Sequence, residues 1–231
     1  NYCVTDLSNF YLDIAKDRLY VNAPADRRRR SCQTVMALII ERLAGLIAPV
    51  LCHMAEDIWQ NLPYSVVEIS VFQRGWPTVP VEWRDDTLSA PVQELRDLRA
   101  AVNKVLEDCR SRQELGASLE SAVRVEARRP ELKTAFDWLR DNGDAEVDGL
   151  RDWLLVSQLQ VGGEPWAELL ACQDDAIAVI EVSRARGIKC DRCWHYEGDV
   201  GQHPGHATLC GRCVGILERR THQRTLSLIH I

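Results

Sequence analysis

Two Cys-x-x-Cys pairs carry the clearest chemistry in the sequence. Cys190 and Cys193 flank Asp191-Arg192, Cys210 and Cys213 flank Gly211-Arg212, and sixteen residues separate the pairs. A tetrahedral Zn2+ site made of four thiolates needs this pattern. Each pair turns through a tight knuckle so that both sulfurs face one ion, and the intervening loop returns the second pair. The predicted ligands are therefore Cys190, Cys193, Cys210 and Cys213, around one structural Zn2+. Four protein ligands leave no position for water, so the metal is expected to hold a fold and not to hydrolyse anything. A pair of disulfides is a poorer reading, because the chain has nine cysteines, an odd number. A redox Cys-x-x-Cys is normally single and opens a helix after a strand. His195, His203 and His206 lie in or near the loop as alternative ligands, but four thiolates already close the site.

The elements that must carry this finger are read from periodicity. Leu7, Phe10, Tyr11, Ile14, Ala15 and Leu19 make the apolar stripe of a first helix ending before Pro24. Cys32, Val35, Met36, Ile39, Leu43, Leu46 and Ile47 mark a second. Leu51, Met54, Ala55, Ile58, Trp59 and Leu62 mark a third, with Pro49 in its first turn. Short connections between them predict an antiparallel bundle. The second helix opens on Arg27-Arg28-Arg29-Arg30, where positive charge opposes the helix dipole unless an anion or Asp26 offsets it.

Residues 63–86, rich in Pro and Trp, read as an extended crossing segment packing its Trp side chains on the bundle. A long helix is expected from Ala90 to Leu115, and Cys32, Cys52 and Cys109 are read as core packing. After Gly116 the period changes. Ser118–Glu126, Trp153–Val161 and Ala176–Ser183 read as strands, with a short helix around Leu132, Phe136 and Leu139 that ends at Asn142-Gly143. The expected class is mostly α: a helical bundle over 1–115, a small α/β junction module over 116–183 and a zinc-ribbon finger over 184–220. Residues 221–231 are expected to be a non-native tail, because Leu226–Ile231 match one reading frame of a sequencing adapter. The sequence opens on Asn1 with a helix soon under way, so an amino-terminal part is expected to be missing.

Net charge is −6, which does not announce a nucleic-acid binder. Charge is uneven, however. From Arg184 to Arg220 there are seven Lys/Arg against four Asp/Glu, and Arg27 to Arg30 form a second basic cluster. Local patches of this kind bind phosphate even on an acidic protein, because screening limits the reach of the total charge. Thiolate metal ligation predicts a reducing, cytoplasmic setting, and no apolar run in the sequence is long enough to span a membrane.

The segments Asn9–Tyr20, Arg29–Thr34, Ala48–Leu51 and Ala55–Trp59 resemble the anticodon-binding helical domain of bacterial isoleucyl-tRNA synthetases. Ile188–Tyr196 and Leu209–Cys213 resemble the carboxy-terminal zinc finger of the same family, and Gly116–Glu120 resembles the start of the region between. The resemblance runs to about Leu217. It implies a class I synthetase whose full chain joins isoleucine to its tRNA with ATP, the catalytic and editing domains lying outside this sequence. The implied partners are isoleucine tRNA, through its anticodon stem-loop, and the amino-terminal catalytic domain of the same chain, in a monomer.

Unstacked anticodon bases are read by stacking on aromatic or guanidinium planes and by hydrogen bonds to their edges. The residues expected to contact tRNA are Arg192, Trp194, His195 and Arg212 at the knuckles, and Lys16, Arg18, Arg27, Arg28, Arg29 and Arg30 for phosphates. Trp194 has a competing role as a cover for the zinc sulfurs, and Arg18 as an ion-pair partner. Three other readings stand against this one. A formamidopyrimidine-DNA glycosylase-like protein ends in a similar finger but needs a β-sandwich before it. A valyl-type synthetase shares the helices but ends in a coiled-coil arm. A protein-interaction module without nucleic acid is mildly favoured by the acidic total.

Overall fold

The computed structural model describes residues 1–142 and 149–228. It is about half helical, with a small sheet and the four cysteines gathered in one place. Helix α1 (Asp13–Tyr20) continues a π-helical stretch, Cys3–Leu12. Helices α2 (Arg27–Ile47) and α3 (Cys52–Gln60) follow, then α4 (Ser89–Ser111). The remainder is β1 (Ser121–Ala127), α5 (Pro130–Asn142), α6 (Gly149–Leu154), β2 (Gln158–Val161), β3 (Ala171–Asp174), β4 (Ala178–Arg184), β5 (Ile188–Lys189), β6 (Tyr196–Glu197) and α7 (Gly211–Leu228).

The chain forms two compact units, one of residues 1–23 with 86–231, the other of 24–85. This division by packing differs from the sequence-order division at residue 115. The first helix belongs with the sheet because its charges and rings are matched there. Asp13 accepts from Arg99 of α4, whose guanidinium also donates to the Trp153 carbonyl. Phe10 meets Trp153 edge-on at 5.1 Å, and Arg96 lies 4.9 Å from the Phe10 ring centre.

The larger unit is built on a four-stranded sheet in the order β2-β1-β4-β3. β1 and β2 are parallel, as the α5–α6 crossover between them requires, and the other pairs are antiparallel. Side chains alternate across the sheet. On one face Val123, Val125, Ile180 and Val182 pack against Leu95, Leu98, Val102, Leu106 and Cys109 of α4 and Leu132 and Ala135 of α5. This is the main core. The opposite face is polar: in register stand Ala122, Gln158 and Ser183, then Arg124, Gln160 and Glu181. Arg124 and Glu181 are nonetheless buried, joined through two hydrogen bonds of 2.7 and 2.8 Å.

Several sequence expectations shift here. Trp153 and Leu154 end helix α6, and the strand begins only at Gln158. The apolar run Trp153–Val156 suits either state, and Leu150 with Leu154 at helical spacing decides it toward helix by reaching the core. β3 was not expected, because Ala-Cys-Gln-Asp carries none of the β-branched residues that signal a strand. Cys32 and Cys109 are buried as expected, whereas Cys52 is exposed at the start of α3. The expected end of α5 at Asn142-Gly143 and the final residues 229–231 of the tail fall at or beyond the edge of the described residues.

In the smaller unit, Asp26 caps α2. Its Oδ1 accepts from the Arg28 and Arg29 amides at 2.9 and 3.2 Å, which offsets the basic first turn. Helix α3 holds the crossing segment by side chain to backbone bonds. The Trp59 indole donates to the Glu68 carbonyl at 3.0 Å, and Glu56 accepts from the Ser70 hydroxyl and the Val71 amide at 2.8 and 3.1 Å. Of the two Trp side chains expected to pack on the helices, Trp83 lies under the Arg42 guanidinium at 4.6 Å, while Trp76 is 68% exposed.

Candidate metal centre and nucleic-acid interface

The finger is a β5–β6 hairpin with a knuckle at its tip, a loop, and helix α7. At the first knuckle the Cys190 amide donates to the His195 carbonyl and the Trp194 amide to the Cys190 carbonyl, both at 2.9 Å. This turn places Trp194 at φ +66°, in the left-handed region. Gly187 enters the hairpin at φ +98°, where a Cβ would lie 2.4 Å from the Glu197 carbonyl oxygen. The second knuckle is the start of α7. There the Gly211 amide donates to Asp199 Oδ2 at 2.8 Å, and the same oxygen meets His203 Nε2 at 3.0 Å.

Cys190, Cys193, Cys210 and Cys213 are all buried, and their sulfurs lie within 4.8 Å of one another. Cys193 Sγ stands 3.7 Å from Cys210 Sγ. Zn–S bonds of about 2.3 Å in a tetrahedron put sulfurs about 3.8 Å apart, so this edge already has the length a Zn2+ would impose. The Cys210 amide donates to Cys190 Sγ at 3.4 Å. Around the sulfurs lie Val21, Val200 and Ile216. The donor set fits a closed structural Zn2+ site.

S–H donation from Cys210 and Cys213 holds Cys193 well below the ordinary thiol range. Cys210 is pushed up to about 12, chiefly by its bond with Cys193, and Cys213 is pushed higher still by its bonds to Cys193 and Cys210. Zn2+ binds thiolates, so metal loading of a thiol cluster releases protons.

The other expected site residues divide sharply. Trp194 is 61% exposed, with Lys189 Nζ 5.7 Å from its ring centre, so most of its indole is presented outward. His195 is 5% exposed, inside the knuckle, with Nδ1 buried and no hydrogen-bond partner for that atom. Arg212 makes a two-point pair with Asp17 of α1 at 2.7 and 2.8 Å, and Arg192 donates to the Val21 carbonyl. Both guanidiniums thus tie the finger to α1. Lys16 is exposed and pairs with Asp13 at 2.8 Å, and Arg18 is half-buried. In the smaller unit Arg27 and Arg30 are exposed, while Arg28 and Arg29 are half-buried. Lys189, directly before Cys190 in the hairpin, adds an exposed cation beside the Trp194 ring.

The finger is also fixed to the sheet. The Tyr196 amide donates to Ser157 Oγ at 2.8 Å, and Arg151 pairs with Glu197 at 3.1 Å. Gln158 clamps the Arg186 backbone through both its amide and its carbonyl.

Comparison with known proteins decides the family. Residues 1–127, more than half of the chain, match the anticodon-binding domain of tRNA ligases. The chain belongs to the tRNA-ligase anticodon-binding family. Residues 187–215 match the zinc finger found in FPG and IleRS, which covers the two knuckles. The chain is 82% identical over 96% of its length to an isoleucine–tRNA ligase of Parasynechococcus marenigrum. It is 75% and 73% identical, each over 95% of its length, to ligases of the same name from a strain of Prochlorococcus marinus and from a Synechococcus species. In each case it spans 23% of the length of that relative. Within this tRNA-ligase family chain, no helix among the described residues is long and apolar enough to cross a membrane.

Proposed function

We propose that this chain is the tRNA-gripping part of an isoleucine–tRNA ligase, and that it binds the anticodon stem-loop of isoleucine tRNA. ATP-dependent joining of isoleucine to the tRNA then belongs to residues of the ligase outside this sequence. The observation that carries the reading is the exposed Trp194 on a knuckle closed by four cysteines, in a chain whose amino-terminal half has the anticodon-binding pattern. A rigid, outward indole beside Lys189 suits an unstacked base and its phosphate. Lys16, Arg27 and Arg30 are the exposed cations this proposal assigns to phosphates. Arg192 and Arg212 hold the finger in place, and His195 fills the knuckle. Arg18, Arg28 and Arg29 are left with a supporting part. The bound Zn2+ would supply rigidity, with no chemistry of its own.

An antiparallel helical bundle across the amino-terminal region, the module boundaries at 115, 183 and 220, a monomeric state and a cytoplasmic setting belong to the same proposal. A DNA-glycosylase or valyl-type reading gains no support from the relatives. The test is a protection experiment with the zinc-loaded chain and isoleucine tRNA over a range of salt. Protection confined to the anticodon arm, with affinity falling as salt rises, is the expected result. Protection of the acceptor arm alone, or salt-independent binding, would overturn it.

A further inference from the structure

Among the described residues, the sheet face opposite the main core packs under a loop and not under a helix. The loop between β2 and β3 arches over it and leaves a cleft of about 640 Å³. Its floor is Ala122, Gln158, Gln160 and Ser183, and its walls include Trp166, Glu168, Arg184 and Arg186. This volume lies in the range of small-ligand sites.

The cleft is a built one. Arg124 and Glu181, 1% and 4% exposed, form a buried ion pair beneath it. That pair grips the loop at two points: Arg124 Nη1 donates to the Gly163 carbonyl at 3.2 Å, and Glu181 accepts from the Trp166 amide at 3.0 Å. The Trp166 indole donates to Gln160 Oε1 at 2.9 Å, and Gln160 in turn donates to the Gly162 carbonyl. Gly162 and Gly163 take positive φ, which gives the tight turn. The indole is thus locked in orientation beside amide side chains and a hydroxyl. Arg184 and Arg186, two residues apart on the segment leading into the finger, are both exposed. Nothing else in this unit combines a fixed aromatic ring, hydrogen-bonding amides and a pair of free-standing cations around one concavity among the described residues.

We infer that this cleft between the sheet and the 162–168 loop takes one splayed nucleotide of the bound RNA, apart from any base that meets Trp194. The base stacks on Trp166, the Ser183 hydroxyl meets its polar edge, and Arg184 and Arg186 take the flanking phosphates. Glu168 accepts from a ribose hydroxyl or a base amino group. The chemistry is that of single-strand recognition, where ring stacking gives affinity and phosphate contacts give salt dependence. The inference rests on the proposed tRNA binding and adds a second contact point to it, in the junction module and not on the zinc knuckle.

The test follows the indole N–H signal of Trp166 by NMR in the zinc-loaded 231-residue chain, assigned with Trp166→Phe. The probes are the isoleucine tRNA anticodon stem-loop, a fully paired hairpin of equal charge, and uridine and adenosine 3′-monophosphates. The signal should move with the stem-loop and not with the paired hairpin. Trp166→Ala should weaken stem-loop binding about tenfold. Trp166→Phe, which keeps a ring, should bind close to the parent. Replacing Arg184 and Arg186 by Gln should flatten the slope of log affinity against log salt by about 0.7 for each phosphate no longer neutralised. If the stem-loop binds while Trp166 stays silent and the variants bind as the parent does, the cleft inference is overturned and the anticodon proposal survives. If RNA fails to bind but a mononucleotide moves Trp166, the cleft stands as a nucleotide site and the anticodon proposal falls. Silence of Trp166 toward every probe overturns the cleft.

Discussion

Arg212 donates through both terminal nitrogens to the two carboxylate oxygens of Asp17, at 2.8 and 2.7 Å, across 195 residues of chain. One residue before a zinc ligand, a basic side chain looks like a nucleic-acid contact. Here it is a structural strap between the finger helix and α1. Asp17→Ala should strand this charge and loosen the finger. Hydrogen bonds to charged groups contribute about 1.5–3 kcal/mol, so a loss of about 2 kcal/mol is expected. Amide exchange should rise in the first turns of α7 while the sheet stays protected. Unchanged exchange in α7 would show that the strap is idle.

Metal removal should have a local effect. Besides its four cysteines the finger buries only a few side chains, among them His195, Val200, Val214 and Ile216, so Zn2+ binding supplies most of its folding energy. Chelation, or Cys190→Ser, should unfold 187–215 and leave the α4–sheet core intact. Zinc content and tryptophan fluorescence would follow this, because Trp194 sits on the knuckle. A single cooperative collapse of the whole chain would contradict it.

Glu181→Gln should cost about 3 kcal/mol, the lower end of the penalty for breaking a buried pair, because Arg124 keeps the partly exposed Glu126 at 3.2 Å as a second partner. The pH dependence has a definite sign. Hydrogen bonding from Arg124 holds the Glu181 carboxyl below its ordinary value, against the opposing effect of burial. A depressed folded value gives stability that is present above the ordinary carboxylate range and is lost as pH falls through the folded value. The parent should lose stability through that acid window. The variant should show a shallower acid limb in thermal melts between neutral pH and acid.

Gly45 of α2 faces Pro77, and a Cβ there would lie 2.6 Å from the Pro77 ring. Ala is worth up to about 1 kcal/mol over Gly in a helix, but forcing a ring out of a packed contact costs about 1–3 kcal/mol. The clash should win. Gly45→Ala is expected to lower the melting temperature, and to do so less when combined with Pro77→Ala. Stabilisation by the single change would show that the crossing segment yields freely.

The metal site was legible because four thiolates at fixed spacing leave one geometric solution, and Asp26 was legible because capping is local. The helices with strong apolar stripes, α2 and α4, were legible for the same reason. What escaped was non-local or carried by weak patterns. No spacing rule shows that His195 turns inward while Trp194 turns outward. That depends on the left-handed φ of Trp194 and the bond from Cys190 to the His195 carbonyl. The pairing of Asp17 with Arg212 joins residues far apart in sequence. β3 lacks strand-forming residues and is placed by its pairing with β4. The second sheet face was invisible because Arg124 and Glu181 read as surface charges until the 162–168 loop covers them.

The central claim is that this chain reads the anticodon of isoleucine tRNA. The most direct measurement is the affinity of the zinc-loaded chain for that tRNA beside the same tRNA with its anticodon changed, at fixed salt. The account predicts binding weaker by about tenfold or more for the changed anticodon, since each base stack is worth about 1–3 kcal/mol. Equal affinity for the two would contradict it and reduce the chain to a phosphate grip.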